Sequence, residues 1–354
     1  MDTIKPIKIN ARKANKMVFT EPLTAAEVGK LWATYMGNSM SKYILKYFLK
    51  NCDDTDIRKV LENSLSLCED FIVRIEEFLK NDNRPIPDGF TENDVNLEAP
   101  RLFSDELYLN YLKYTGKAGL GLYVIAIPLV TRLDVREFYT NVIDSTVRLL
   151  NQVNDLILDK GFLFKIPVIP INDKVEYVEK KSYLSGFIGK ERPLHALEVA
   201  HLCDNIENNA VSKALLIGFA QIARSDQVRK YFQNGKGITS KHIDECAHIL
   251  HKEDMPSPPL IDDLVTTSTE FTFSDKLLMF HKIDMFSMRI RSYGNSMSVN
   301  GRHDLGLLFT RMLSEIGLYV NEGANIFIEN GWMEKPPHAA NRNDLINRTH
   351  QTDK

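Results

Sequence analysis

The sequence repeats itself, and this duplication limits the fold more than any other feature does. When the chain is aligned with itself at an offset of 171, 12 of the 37 positions from Leu23 to Lys59 meet an identical residue. At an offset of 170, FSDELYL (103–109) meets FSDKLLM (273–279), and DKGFLFKIP (159–167) meets ENGWMEKPP (329–337). Because the match extends over nearly the whole chain, we expect two equivalent domains.

The repeat predicts five segments. A basic arm (1–22) precedes a first domain (23–172), a charged linker (173–189) leads to a second domain (190–338), and a polar tail (339–354) follows. The arm has no apolar stretch behind its lysines and arginines, which excludes an ordinary secretory signal.

Within each half, apolar residues recur at the spacing of four helices, and no strong strand signal is present. A stretch rich in Pro, Ser, Thr and Asp (253–272) separates the second and third helices of the second half. Residues 81–102 take its place in the first half. Four helices with one long connection between the second and third are typical of a ferritin-like bundle rather than of a simple up-down bundle. The predicted fold class is all-α, with two tandem ferritin-like four-helix bundles.

Two short motifs occur once in each half. An L-x-A-x-E-V segment opens each domain at Leu23 and Leu194, and a P-x-P motif lies in each crossover at 85–87 and 256–258. In these motifs and in its duplication, the whole chain resembles an uncharacterised family of duplicated ferritin-like bundle proteins from Bacillus-type spore-forming bacteria. The resemblance implies a fold and no established reaction. It leaves metal binding open, because some ferritin-like proteins have lost their metal ligands.

Composition excludes several function classes. The chain has 354 residues and a formal net charge of −3, which argues against a nucleic-acid partner. Its most apolar run, 120–130, has 11 residues, whereas a membrane-spanning helix needs about 20. Four cysteines without C-x-x-C spacing indicate a reducing, cytoplasmic location. A homo-oligomer is compatible with the sequence, and the small-molecule or protein partner is not identified by it.

All nine histidines lie at or after position 195, so the two domains differ in chemistry. Helical rotation places His242 inside the apolar stripe of its helix, opposite Phe71 of the first half, with Glu245 at the edge of that stripe. The same rotation predicts an outer face for His248 and His251, and a solvated surface position is expected for these two and for His303 and His338.

Six polar residues are predicted to point inward at mid-bundle in the second domain. They are Glu207, His242, Glu245, His281, Asp284 and Glu315, and together they represent all four helices. Burying such a cluster is costly unless its members are paired or bind a metal. Imidazole and carboxylate ligands suit iron, manganese, zinc or nickel, so the sequence predicts a mononuclear or asymmetric dinuclear site.

A metal-free interpretation stays open beside it. His281 with Asp284, and His242 with Glu207, could be hydrogen-bonded pairs that only stabilise the core. The pair Glu198 and His201 is predicted to face outward, with Glu198 in a capping role shared by its counterpart Glu27. Two functions follow: a metal-binding bundle protein with redox or oxygen-related activity, or a metal-free structural or interaction protein of sporulation or stress. Under both hypotheses the second domain is the functional one, and the first is a copy without metal ligands.

Overall fold

The computed structural model describes residues 21–187, 191–299 and 301–349, and within these ranges the protein is α-helical without a named strand. The helices of the first half are α1 Ala25–Asn51, α2 Thr55–Asn81, α3 Asp105–Ala126 and α4 Leu133–Asp159. Those of the second half are α5 Ala196–Ile222, α6 Asp226–His251, α7 Asp275–Val299 and α8 His303–Glu329, followed by a short α9 Arg342–Thr349. The all-α prediction is confirmed, whereas the ferritin-like classification stays a prediction.

Each half begins with the same capping arrangement. Thr24 caps α1, and the Glu27 carboxylate accepts a hydrogen bond of 2.7 Å from the Thr24 backbone amide. His195 caps α5, and the Glu198 carboxylate accepts a hydrogen bond of 3.0 Å from the His195 backbone amide. This confirms the capping role. The expected outward orientation of Glu198 is wrong, because its carboxylate is fully buried against Arg192, whose guanidinium donates two hydrogen bonds of 2.7 Å.

The third helix of each bundle starts where the first helix ends. The Asp105 carboxylate accepts hydrogen bonds from the amides of Asp53 and Asp54 at 3.0 and 2.7 Å. Asp275 does the same for Arg224 and Ser225 at 3.0 and 2.8 Å. Because α2 and α3 therefore begin at the same end, the chain between them must run the length of the bundle. This is the long crossover that the spacing predicts.

The two crossovers pair with each other about a pseudo-twofold axis. The Asn96 amide donates to the Thr272 carbonyl at 2.8 Å, and the equivalent Thr266 amide donates to the Leu102 carbonyl at 2.9 Å. These bonds join the bundles through backbone that would otherwise be unpaired. The buried apolar side chains of both halves accordingly form one continuous core. None of the described helices combines the length and apolar character that a bilayer-spanning helix needs.

Candidate functional site

His242 lies in α6 and is completely buried in the second bundle, as predicted. One ring nitrogen, Nε2, is 3.0 Å from Oε2 of Glu315, and the other, Nδ1, is 2.9 Å from the Tyr293 hydroxyl. Burial lowers the pKa of His242 to about 4, against the opposing effect of Glu315. The imidazole is therefore neutral at pH 7, and it pairs with Glu315 rather than with Glu207.

The His242 contacts belong to a chain of hydrogen bonds that runs from the core to the surface. On the inner side, the Asn209 side-chain amide donates to the Tyr293 hydroxyl at 3.0 Å. On the outer side, Lys241 donates to Oε1 of the half-buried Glu315 at 2.6 Å. Burial alone would raise the pKa of Glu315, but the hydrogen bonds from Lys241 and His242 outweigh it and lower that pKa. Glu315 is therefore ionised at neutral pH.

An arginine connects Glu245 to the Glu315 carboxylate. Arg311 forms an ion pair of 2.6 Å with Glu245 Oε2, and its Nε is 3.7 Å from Glu315 Oε1. Two carboxylates are thus balanced by the two cations Lys241 and Arg311. The net charge of these four side chains is zero without a metal ion.

The other three predicted ligands lie elsewhere. His281 is buried between two aromatic rings, nearly parallel to Tyr111 at 5.6 Å and edge-on to Phe219 at 5.3 Å. Contrary to the predicted inward orientation, Asp284 is exposed, and Glu207 faces the first bundle, where it accepts a 2.9 Å hydrogen bond from Lys113. Rotation about an isolated helix axis failed for Glu207 because the second bundle does not stand alone. The face of α5 that carries Glu207 is turned toward α3.

The predicted pairs of His281 with Asp284 and of His242 with Glu207 are absent from the hydrogen bonds among the described residues. In the same ranges, no group of three His, Cys, Asp or Glu side chains is arranged to hold a metal ion. The six-residue metal site stays a prediction. The four remaining histidines predicted to face outward, His248, His251, His303 and His338, are exposed.

Two buried cations in α7 were not predicted from the sequence. Lys282 is fully buried, and its Nζ donates to Ser212 Oγ at 2.6 Å. Arg289 is 1% exposed, and NH1 donates to Thr239 Oγ1 at 3.2 Å. Both lie over the Phe286 ring, at 4.8 and 4.5 Å from its centroid. Neither forms an ion pair with a carboxylate of the described residues.

A signal for these cations exists in the repeat. Lys282 and Arg289 are seven residues apart, which places them on one face of a helix. Their counterparts in the first half, Leu112 and Gly119, have no charge. The sequence signal for Lys282 and Arg289 is therefore the replacement of two uncharged residues by two basic ones on the same helix face.

The first bundle has a small cavity around Gly119, the counterpart of Arg289. It has a volume of about 70 Å³ and lies between the four helices of that bundle. Gly116, Gly119 and Leu149 are on its wall, and the second bundle has Phe286, Arg289 and Tyr319 at the equivalent positions. The remaining lining residues are Asn38, Ser41, Leu45, Ser64, Leu67, Cys68, Phe71, Tyr111, Leu112, Thr115, Tyr123 and Thr146.

Comparison with known proteins places the chain at the level of a family. The model of a protein family of unknown function, DUF3231, matches it twice, over residues 13–175 and 183–345. The chain belongs to this family. The double match confirms the internal duplication and the expected membership of an uncharacterised, repeated family.

A solved structure of a candidate spore coat protein from Bacillus halodurans is 20% identical, over 43% of this chain and 98% of that one. The TM-score of this match is 0.39. No curated protein matches the sequence.

Proposed function

We propose that this protein is a binding protein whose first bundle takes up a small, neutral and largely apolar molecule. The observation that carries the proposal is the central cavity of about 70 Å³. The second bundle is an internal control, because the same backbone arrangement there is filled by Phe286, Arg289 and Tyr319. An open space is therefore a property of the first bundle's side chains and not a requirement of the fold.

The lining defines the chemistry of the ligand. Leucines, phenylalanine and glycines supply apolar surface, and no charged side chain is among the lining residues. The lining includes the buried Tyr111 hydroxyl, which has no hydrogen-bond partner among the described residues. Burial raises the pKa of Tyr111, so this phenol is a neutral donor that lies near Ser41 and Cys68. A small alcohol, ketone or phenol would satisfy it.

The size of the cavity limits the ligand to a few heavy atoms. A single water needs roughly 10–15 Å³ of such volume, so about five water-sized groups fit. Burial also raises the pKa of the Cys68 thiol to about 12. Because a thiol with that pKa is not a nucleophile near pH 7, the cavity favours reversible binding over covalent chemistry.

Ligand-observed NMR with isobutanol, cyclopentanone and phenol tests this proposal. We expect saturable binding to the full chain that is lost in Leu149→Tyr, which introduces the aromatic residue of the second bundle. Tyr111→Phe keeps the volume and removes one hydrogen bond, so it should weaken binding about 5- to 10-fold. Absence of saturable binding for all three probes, or unchanged binding in Leu149→Tyr, contradicts the proposal.

A second candidate is a metal site at the corner formed by His242, Glu245 and Glu315. Two of the predicted ligands are in contact there, and Arg311 joins the third to them. A divalent ion bound by these three residues would replace the guanidinium. Elemental analysis after incubation with iron, manganese, zinc or nickel should then show more bound metal in Arg311→Ala and none in His242→Ala. A parent and an Arg311→Ala variant that both stay free of all four metals would contradict it.

A further inference from the structure

We propose that Lys282, Arg289, Ser212 and the Tyr114 hydroxyl form a buried binding site for a small oxyanion, a carboxylate or phosphate group. This site lies at the contact between the bundles and does not rest on the cavity of the first bundle. Its four members come from α3, α5 and α7.

The first step is the imbalance of charge. Lys282 and Arg289 are both buried, and neither forms an ion pair within the described residues. An unpaired charge in the interior is costly, and buried charges in proteins are normally paired. The nearby ring of Phe286 offsets this cost only in part, since a cation–π contact is weaker than an ion pair with a buried anion. A bound anion would supply the missing partner.

The second step is the set of donors without acceptors. Arg289 uses NH1 for Thr239, while Nε and NH2 have no hydrogen-bond partner among the described residues. One edge of a guanidinium, formed by Nε and a terminal nitrogen, matches two oxygens of a carboxylate or phosphate. The buried Tyr114 hydroxyl has no partner of hydrogen-bond geometry either. Burial raises its pKa, and Arg289 and Ser212 oppose this, so both residues lie beside the phenol.

The third step concerns Lys282. Burial and the neighbouring Arg289 lower its pKa well below the ordinary value. Without an anion this position therefore disfavours the charged ammonium form, and Ser212 accepts the hydrogen bond of the side chain. An anion placed between the two side chains would favour the ammonium form, because opposite charges within about 4–6 Å stabilise each other.

The fourth step is access. A groove of about 60 Å³ runs between α3 and α5, and Tyr114 is part of its wall. Lys113 and Lys117 lie on the same wall, paired with Glu207 and Asp204. Tyr114 thus stands between this groove and Arg289. A change of its rotamer would open the buried cluster to a small anion.

Thermal unfolding of the full chain in sodium phosphate, sodium acetate and sodium chloride of equal ionic strength tests the site. We expect a saturable rise in Tm of a few degrees with phosphate or acetate over chloride, because a ligand that binds only the folded state stabilises it. Lys282→Leu, which introduces the residue found at Leu112, should weaken this binding about 10- to 100-fold. In chloride, Lys282→Leu should unfold at the same temperature as the parent or higher.

Lys236→Leu is the matched control, because Lys236 is an exposed lysine of α6 and its loss should leave the anion response unchanged. Phosphorus NMR of phosphate with the parent gives a second readout that needs no variant. A response to acetate alone assigns a carboxylate, and a response to phosphate alone assigns a phosphate group. No saturable response to either anion, or an equal response in Lys282→Leu, overturns the proposal.

Discussion

The two bundles share the same arrangement of four helices and differ in the side chains that fill their cores. Both have an asparagine on the first helix that donates to a tyrosine on the third: Asn38 to Tyr123 at 3.4 Å, and Asn209 to Tyr293 at 3.0 Å. Next to this pair the first bundle has Phe71, and the second has His242. The duplicated frame tolerates an apolar ring or a hydrogen-bonded imidazole at one position. The residue at this position therefore differs between the two bundles without a change of fold.

The difference extends along the third helix. In the first bundle, α3 has Tyr111, Leu112 and Gly119 where α7 has His281, Lys282 and Arg289. The first set leaves a neutral cavity, and the second set fills the space with basic groups that have few partners. Since buried charges cost more than buried hydroxyls when they have no partner, the basic groups of the second bundle bear a larger cost than the unpaired Tyr111 hydroxyl of the first. Such a cost is typical of a functional site rather than of residues that only support the fold.

The largest effect that sharpens this comparison is the response to acid. His242 has a pKa of about 4 in the folded protein, compared with 6.5 for an unperturbed imidazole. Below pH 6.5 the unfolded chain binds a proton that the folded protein excludes, so the free energy of unfolding falls as the pH drops toward 4. The lost stability is about 3 kcal/mol, since each pKa unit corresponds to about 1.4 kcal/mol. Denaturant unfolding at pH 7, 5.5 and 4.5 measures it.

His242→Phe introduces the residue of the first bundle and serves as the comparison for that experiment. It should remove this share of the acid response. A second share comes from His281, whose pKa burial also lowers, and it should remain until His281→Tyr is added. Glu315 loses its contribution only at lower pH, because its pKa lies below the ordinary carboxyl value. An unchanged slope between pH 6.5 and 4.5 in the double variant would show that the imidazoles are hydrated and not buried as described.

The sequence alone predicted the frame well and the site poorly, for one physical reason. Repeats and helical spacing report on contacts within a bundle, and these determined the four helices, the long crossover and the inward position of His242. They carry no information on how two bundles face each other. Glu207 was misplaced for that reason, because it meets Lys113 of the other bundle. Lys282 and Arg289 were not predicted because neither is a common metal ligand, although their spacing places them on one helix face.

The smallest effect concerns the contact across the pseudo-twofold axis. In one half the Tyr47 ring packs edge-on against Phe273 at 5.1 Å, while the equivalent contact in the other half is between Gly218 and Phe103. A Cβ atom at Gly218 would lie 2.5 Å from the Phe103 ring. Since Phe103 is fully buried, this ring has little room to move.

We expect Gly218→Ala to lower the free energy of unfolding by about 1 kcal/mol. Overpacking costs roughly 1–3 kcal/mol, and the better helix propensity of alanine returns up to about 1 kcal/mol. Gly294→Ala is the matched control, because no atom lies within 4 Å of its added Cβ, and it should stabilise the chain. Denaturant unfolding of both variants measures the difference. If Gly218→Ala is as stable as Gly294→Ala, the two bundles are not packed against each other as closely as Phe103 requires, and the site between them would be open to solvent.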